Sequence, residues 1–153
     1  MTKADLLSAL TQQLESQIAT MQSALSDSDE SASGNETKSE GKYDTRAIEA
    51  AYLAEAQAEQ LALAESALTT WKLFEPQDFN YDDAIGVGAL VEVEQESEIC
   101  FYLLAPTAGG QMTQYLGCDV TVITPDSRLY QELCEEKMGY HIESMQLTVT
   151  GLE

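Results

Sequence analysis

The chain has 153 residues, 44% of them hydrophobic, and its 27 acidic and 7 basic side chains give a formal net charge of −20. This length predicts one domain or two small ones. The acidic excess argues against a surface that grips nucleic-acid phosphates, because such binding needs clustered Lys and Arg side chains. It suits a soluble protein, a basic protein partner or a saline cytoplasm.

The N-terminal residues contain no continuous apolar run, and no segment approaches the ~20 apolar residues that a membrane span needs. We therefore expect a cytoplasmic protein with no secretory signal and no membrane partner. The three cysteines, Cys100, Cys118 and Cys134, are odd in number and widely spaced. This pattern favours reduced cysteines in a core over a disulfide framework or a zinc site.

Residues 4–25 carry apolar side chains at steps of three and four, which predicts a helix with one apolar stripe suited to a coiled-coil seam. The members of this stripe are Leu7, Leu10, Leu14, Ile18, Met21 and Leu25. We expect the helix to end near Ser26, where Ser and Asp side chains begin to compete for backbone hydrogen bonds.

A second helix is predicted over residues 47–68, beginning near Asp44 or Thr45. Its apolar stripe is Ala47, Ala51, Ala54, Ala58, Leu61 and Leu68. The stretch at 26–46 holds almost no apolar side chains and cannot bury itself, so we expect a polar loop there. Residues 1–74 are therefore predicted to form an antiparallel coiled-coil hairpin with an acidic tip at about 26–46. The acidic residues of this tip are Asp27, Asp29, Glu30, Glu36, Glu40 and Asp44.

Pro76 and the polar residues after it predict a linker at 75–84. Just before it, Trp71, Leu73 and Phe74 are expected to pack the base of the hairpin onto the segment that follows.

From residue 85 the apolar period changes to two, which predicts strands at 85–94, 99–104, 120–123 and 145–149. A short helix is predicted at 127–134, with Asp126 or Ser127 as its cap. The fold class is therefore α+β, with a helical hairpin followed by a small β-rich domain at 85–153 that contains one short helix.

This order of parts resembles the Gre-type transcript cleavage factors of bacterial RNA polymerase. Three runs in the second half resemble motifs of that family: Gly-Ala-Leu-Val at 88–91, Ile-Thr-Pro-Asp-Ser-Arg-Leu at 123–129 and Lys-Met-Gly at 137–139. At the tip, Ser-Glu-Gly-Lys-Tyr at 39–43 resembles a shortened form of the family's tip motif, with Glu40 at its first Glu and Tyr43 at its Tyr.

The resemblance implies an FKBP-like fold for the β-rich domain and bacterial RNA polymerase as the partner. It implies that the hairpin enters the secondary channel of the polymerase and promotes cleavage of backtracked RNA. The tip carboxylates Glu40, Glu36 and Asp44 would then serve catalysis. Glu40 and Glu36 would help to hold a Mg²⁺ ion shared with the polymerase active site, because Mg²⁺ prefers oxygen ligands and takes only one or two protein carboxylates. On this view the chain alone is not an enzyme and has no intrinsic cofactor.

Two alternatives stay open at this stage. The sequence has Thr37 where the tip motif has Asp and Arg128 where the C-terminal motif has Pro, which leaves room for a regulator that occupies the channel without cleaving RNA. The other alternative is an acidic interaction module unrelated to transcription. Residues 29–40 also have the spacing of a calcium-binding EF-hand loop, with Gly34 sixth and Glu40 twelfth. We expect weak calcium binding at most, because Ser31 and Ser33 stand where such loops carry carboxylates.

Overall fold

A computed structural model describes the backbone of residues 1–36 and 44–153, together with the side chains of residues 1–27 and 45–153. Two long helices precede a six-stranded mixed sheet with one short helix, which confirms the predicted α+β class. The helices are α1 (Lys3–Glu36), α2 (Asp44–Leu73) and α3 (Arg128–Leu133). The strands are β1 (Leu90–Gln95), β2 (Glu98–Leu104), β3 (Met112–Tyr115), β4 (Cys118–Ile123), β5 (His141–Ile142) and β6 (Leu147–Leu152).

The chain forms two compact units, and both long helices contribute to each of them. The first unit, called here the sheet unit, comprises residues 1–11 and 68–153, and the second, called the hairpin unit, comprises residues 12–67. The division predicted from sequence, at 1–74, 75–84 and 85–153, stays a prediction. None of the described helices is both long and apolar enough to cross a membrane.

The first helix is longer than its sequence predicts. We expected it to end near Ser26, but α1 continues through the Ser- and Asp-rich stretch to Glu36, a length of 34 residues. Ser and Asp lower helix propensity by only about 0.5 kcal/mol per residue. A helix that is already nucleated gains one hydrogen bond with each further residue, so this penalty does not stop it.

The hairpin unit buries the predicted stripe of α1 more faithfully than that of α2. Leu14 and Ile18 of α1 are buried. On α2, Ala54 and Leu61 of the predicted stripe are half-buried, but Ala47, Ala51 and Ala58 are exposed, so the stripe is confirmed only in part. The half-buried positions of α2 in this unit are Ala54, Gln57, Leu61, Ala64 and Ala67. They follow one another at steps of three and four, so the helix buries a single face that is rotated from the predicted one.

The two helices of the hairpin unit run antiparallel. Gln22 of α1 donates a hydrogen bond of 3.1 Å from Nε2 to Oε1 of Glu65 on α2, so the helices lie side by side. Residues 37–43 connect them, and seven residues span at most about 25 Å. A parallel arrangement would require the connection to return along α2, whose 30 residues extend about 45 Å. Only the antiparallel arrangement is therefore possible.

The sheet has the strand order β3-β4-β2-β1-β6-β5, in which β2 and β4 are parallel and the other neighbours antiparallel. The predicted second and third strands are present as β2 and β4. The first predicted strand begins only at Leu90, and the last begins at Leu147 after a short 3-10 helix at Glu143–Met145. The edge strands β3 and β5 were not predicted.

One side of the sheet packs against α3. Tyr130 and Leu133 of α3 are buried in a cluster with Val91, Val93 and Val149 of the sheet. The hydroxyl of Ser127 accepts a 3.0 Å hydrogen bond from the backbone N–H of Tyr130, which confirms the predicted cap of this helix. All three cysteines are free thiols and half-buried, and Cys100 and Cys134 pack against this cluster.

The start of α1 and the end of α2 belong to the core of the sheet unit. Leu6 and Leu10 are fully buried. Trp71 is only 4% exposed, as predicted, and its ring centroid lies 6.2 Å from that of Phe74. Leu73 was predicted to pack with them, but it is 78% exposed. Residue 73 lies two positions from Trp71, so the two side chains point to different sides of the helix.

Candidate functional site at the acidic end of the hairpin

Two of the predicted tip residues, Glu36 and Asp44, lie at the helix ends that residues 37–43 connect. Glu36 is the last residue of α1 and Asp44 is the first residue of α2, so both backbones belong to the same end of the antiparallel hairpin. The side chains of Glu36 and Asp44 lie outside the described side chains. Glu40, Thr37 and Tyr43 lie outside the described residues, so the predicted ligand set itself stays a prediction.

The end of α1 has an electrostatic arrangement that works against helix stability. A helix C-terminus carries a partial negative charge and is stabilised by cations. The last turn of α1 has no basic residue and ends in Glu36, with Asp29 and Glu30 about two turns earlier. Asp44, by contrast, lies at the N-terminus of α2, where a negative charge is favourable. The α1 terminus is therefore a place where a cation or a basic group would relieve repulsion.

The calcium alternative loses support from the backbone. Residues 29–36, which include the first positions of the EF-hand-like spacing, are helical as part of α1. An EF-hand loop instead wraps around its ion and turns sharply at its Gly, here Gly34. The last position of the spacing, Glu40, lies outside the described residues. Elsewhere, no group of three or more His, Cys, Asp or Glu side chains within the described part of the chain is placed to hold a metal.

The runs that carry the Gre resemblance adopt defined local structures in the sheet unit. Gly88 has a φ of +92°, and a Cβ atom there would lie 3.1 Å from the Cα of Pro76, so this position requires glycine. Ser127 caps α3, as described above. Gly139 lies in a turn and donates a 2.9 Å backbone hydrogen bond to the carbonyl of Val149. Each run therefore has a role in shaping the backbone.

A cavity of about 540 Å³ with mixed polar and apolar walls opens beside the second of these runs, and the only sequence feature that pointed to this region is the Gly109-Gly110 turn. Its walls are the connections before β3 and after β4, including Thr107, Thr124 and Asp126. The hydroxyl of Thr124 donates to the carboxylate of Asp126, and Ser127 is engaged as the helix cap. The hydroxyls of Thr124 and Ser127 are thus engaged within the protein, and the cavity carries no argument for a ligand site.

A buried lysine joins the start of α1 to the rest of the sheet unit. Lys3 is 6% exposed, and its Nζ donates to the carbonyls of Gln77 at 2.9 Å and Glu153 at 2.7 Å. The ammonium group also lies 5.3 Å from the centroid of the Phe79 ring, within the range of a cation–π contact. Burial lowers the pKa of Lys3, while the negative charges of Asp78 and Glu153 oppose the shift. These contacts tie the first turn of α1 to residues 77–79 and to the C-terminal residue within the sheet unit.

No protein-family model matches the sequence, and no curated protein matches it. Among solved structures, GreA factor homolog 1 of Thermus thermophilus is similar with a TM-score of 0.32 and 12% identity, covering 94% of each chain. GreA factor homolog 1 of Thermus aquaticus is similar with a TM-score of 0.34 and 14% identity, covering 93% of this chain and 92% of that one. TM-scores this low do not establish a common fold.

Proposed function

We propose that this chain is a Gre-like elongation factor that binds bacterial RNA polymerase in the cytoplasm and presents the acidic end of its hairpin to the active site. The observation that carries this proposal is the convergence of α1 and α2 on one acidic end, with Glu36 and Asp44 at the two helix termini. From residue 12 to Glu36, α1 extends about 37 Å. A stalk of this length delivers carboxylates to a site that the chain does not itself contain.

The chemistry of the tip suits a Mg²⁺ ion shared with the polymerase. Glu40 and Glu36 would hold the ion, with Asp44 beside them, since carboxylate oxygens are ligands that Mg²⁺ accepts. The negative end of the α1 dipole at Glu36 favours a cation at the same place. When bound, Mg²⁺ stabilises the attacking or leaving oxygen in phosphoryl transfer. The residues of this chain supply charge and position, while the polymerase supplies the RNA and the rest of the active site.

The sheet unit has a different role in this proposal. In the proposal, this unit is an FKBP-like domain that docks on the polymerase surface. Its support is local: the runs at 88–91, 123–129 and 137–139 form the start of β1, the cap of α3 and the turn at Gly139. The isolated chain is not an enzyme in this proposal, because one or two carboxylates on a stalk do not position a phosphodiester unaided.

The proposal is tested in two steps with the full-length chain. Immobilised protein should retain core RNA polymerase, and addition of the protein to a backtracked elongation complex should speed release of the RNA 3′ fragment. Glu40→Ala should lower that rate by about ten- to a thousand-fold, or ~1.4–4 kcal/mol of transition-state stabilisation, with polymerase binding nearly unchanged. Glu55→Ala, which removes an exposed carboxylate from the middle of α2, is the matched control. The elongation complex should cleave its RNA at the normal rate when this variant is added.

Other results would select the alternatives. Tight polymerase binding without any cleavage by the unmodified protein would identify a regulator that occupies the channel. Absence of polymerase binding would contradict both transcription roles and leave an acidic interaction module. The purified chain without polymerase should cut no RNA. Any cutting by it would contradict the proposal that the polymerase supplies the active site.

A further inference from the structure

A groove lined mostly by apolar side chains lies between the two helices of the hairpin unit and plays no part in the proposed function. We call it the hairpin groove. Its volume is about 340 Å³. Its lining residues are Met21 and Ala24 of α1 and Leu53, Ala56, Gln57 and Gln60 of α2. Leu53 is 58% exposed, so nothing within the described hairpin covers the groove.

The apolar surface continues along α2 beyond the groove. Leu53, Ala56, Gln60 and Leu63 follow one another at steps of three and four, so they share one face of the helix. Leu63 is 64% exposed at the far end of this stripe. The stripe therefore runs for nearly three turns of α2. Its spacing is the same as that of the apolar side chains on an amphipathic helix that docks in a groove.

The rim of the groove is acidic. Glu49 precedes Leu53 by four positions and Asp27 follows Ala24 by three, so each lies on the groove side of its helix. Arg46, one turn before Glu49, is the only basic residue among the described residues of the hairpin unit. Opposite charge on a partner would therefore be attracted to both sides of the groove.

We propose that the hairpin groove binds an amphipathic helix of a partner protein, with Leu-like side chains facing the groove and Lys or Arg residues on both flanks. The apolar stripe supplies the affinity and the acidic rim selects a basic helix. A second copy of this chain does not fit, because its own exposed stripe is bordered by the same carboxylates and the chain carries a net charge of −20. The proposal does not rest on the transcription role, since the groove uses none of Glu36, Glu40 and Asp44.

The test uses a synthetic 18-residue peptide of Leu and Lys, patterned as an amphipathic helix and labelled for fluorescence anisotropy. A scrambled peptide of the same composition and a version with Glu in place of Lys are the ligand controls. We expect the amphipathic basic peptide to bind at least about ten-fold more tightly than either control. Equal binding of the scrambled peptide would overturn the proposal, because charge alone would then explain the interaction.

Variants of the protein locate the binding site. Leu53→Ser changes an exposed side chain, so the hairpin should still fold, and it should weaken peptide binding about ten-fold. Glu49→Lys should weaken binding severalfold, whereas Glu55→Lys should leave it close to normal. Glu55 lies two positions from Leu53, on another side of α2, and the two variants change net charge equally. Equal losses for both variants would overturn the proposal.

Sedimentation of the protein without peptide tests whether a second copy of the chain occupies the hairpin groove. A monomer is expected. A dimer that Leu53→Ser converts to a monomer would show that a second copy fills the groove and would overturn the proposed partner. Loss of polymerase binding would not affect these measurements, so failure of the proposed function and failure of this inference can be told apart.

Discussion

The indole Nε1 of Trp71 donates a hydrogen bond of 2.8 Å to the hydroxyl of Thr11. The same hydroxyl donates to the carbonyl of Leu7 at 2.8 Å, so Thr11 joins the end of α2 to the first turns of α1. Thr11→Val keeps the shape of the side chain but removes the acceptor, which leaves a buried N–H without a partner. We expect the free energy of unfolding to fall by about 1–3 kcal/mol, measured by urea unfolding followed through tryptophan fluorescence.

Thr20→Val is the matched control for this prediction. Thr20 also lies on α1 and donates to the carbonyl four residues earlier, that of Ser16, but it is exposed. Its replacement should change stability by less than about 0.5 kcal/mol. Equal effects of the two variants would mean that the contact with Trp71 contributes nothing beyond the helix itself.

Gly88 is expected to be the glycine least tolerant of substitution among those with positive φ. Gly88→Ala combines an unfavourable φ of +92° with a Cβ placed 3.1 Å from Pro76 and 3.3 Å from the backbone nitrogen of Gln77. Gly110→Ala carries the same strain, at a φ of +88°, but its Cβ would meet nothing within 4 Å. We expect the free energy of unfolding, measured in urea, to fall by about 1–3 kcal/mol more for Gly88→Ala than for Gly110→Ala. Only the Cβ added at residue 88 crowds neighbouring atoms.

Tyr115 makes the sheet unit sensitive to alkaline pH. Burial raises the pKa of its phenol above the ordinary 10.0, and the hydrogen bond to Glu153 and that residue's charge act in the same direction. The folded state therefore holds the proton more tightly than the unfolded state. The resulting stability is present below pH 10.0 and is lost as pH rises through the folded pKa, by at most about 1.4 kcal/mol per pH unit for one proton.

Tyr115→Phe should flatten this loss of stability above pH 10.0, measured by urea unfolding at each pH. Burial also raises the pKa of Tyr102 and Tyr130, so part of the alkaline loss should persist in the variant. Tyr81→Phe, which alters an exposed ring, should follow the unmodified protein. A Tyr115→Phe profile that runs parallel to the unmodified one would contradict the assignment.

The acidic end of α1 should gain helix stability when one charge is removed. Glu36→Gln relieves repulsion with the negative end of the helix dipole, so we expect more helix by far-ultraviolet circular dichroism and a gain of about 0.3–1 kcal/mol at low ionic strength. The gain should shrink in 1 M salt, where the screening length is about 3 Å. Glu55→Gln, in the middle of α2, should show neither effect. A loss of helix in Glu36→Gln would indicate that this carboxylate is held by a favourable partner.

The class of fold and several of its parts could be predicted from sequence, because the signals involved are local. Burial at Leu10, Leu14 and Ile18 follows from apolar side chains repeating at helical spacing, whatever lies opposite them. The change to a period of two after residue 85 marked a sheet. Ser127 was readable as a cap because its hydroxyl needs only the N–H of Tyr130, three residues away.

The buried face of α2 could not be predicted from local signals. Several faces of an alanine-rich helix are similarly small and apolar, so the sequence alone does not select the one that is buried. Packing against α1 makes Gln57 half-buried and leaves Ala58 exposed. Leu53 and Leu63 belong neither to the predicted stripe nor to the half-buried positions of α2, so both stay uncovered beside the packed face.

The edge strands β3 and β5 and the contacts of Lys3 could not be predicted from sequence, because they depend entirely on tertiary structure. β3 has four residues and β5 has two, too few for a periodic pattern, and each exists because β4 or β6 supplies its hydrogen-bond partners. Lys3 reaches Gln77 and Glu153 across separations of 74 and 150 residues. Contacts over such distances leave no local pattern in the sequence, because they depend on where the fold brings the two ends of the chain together.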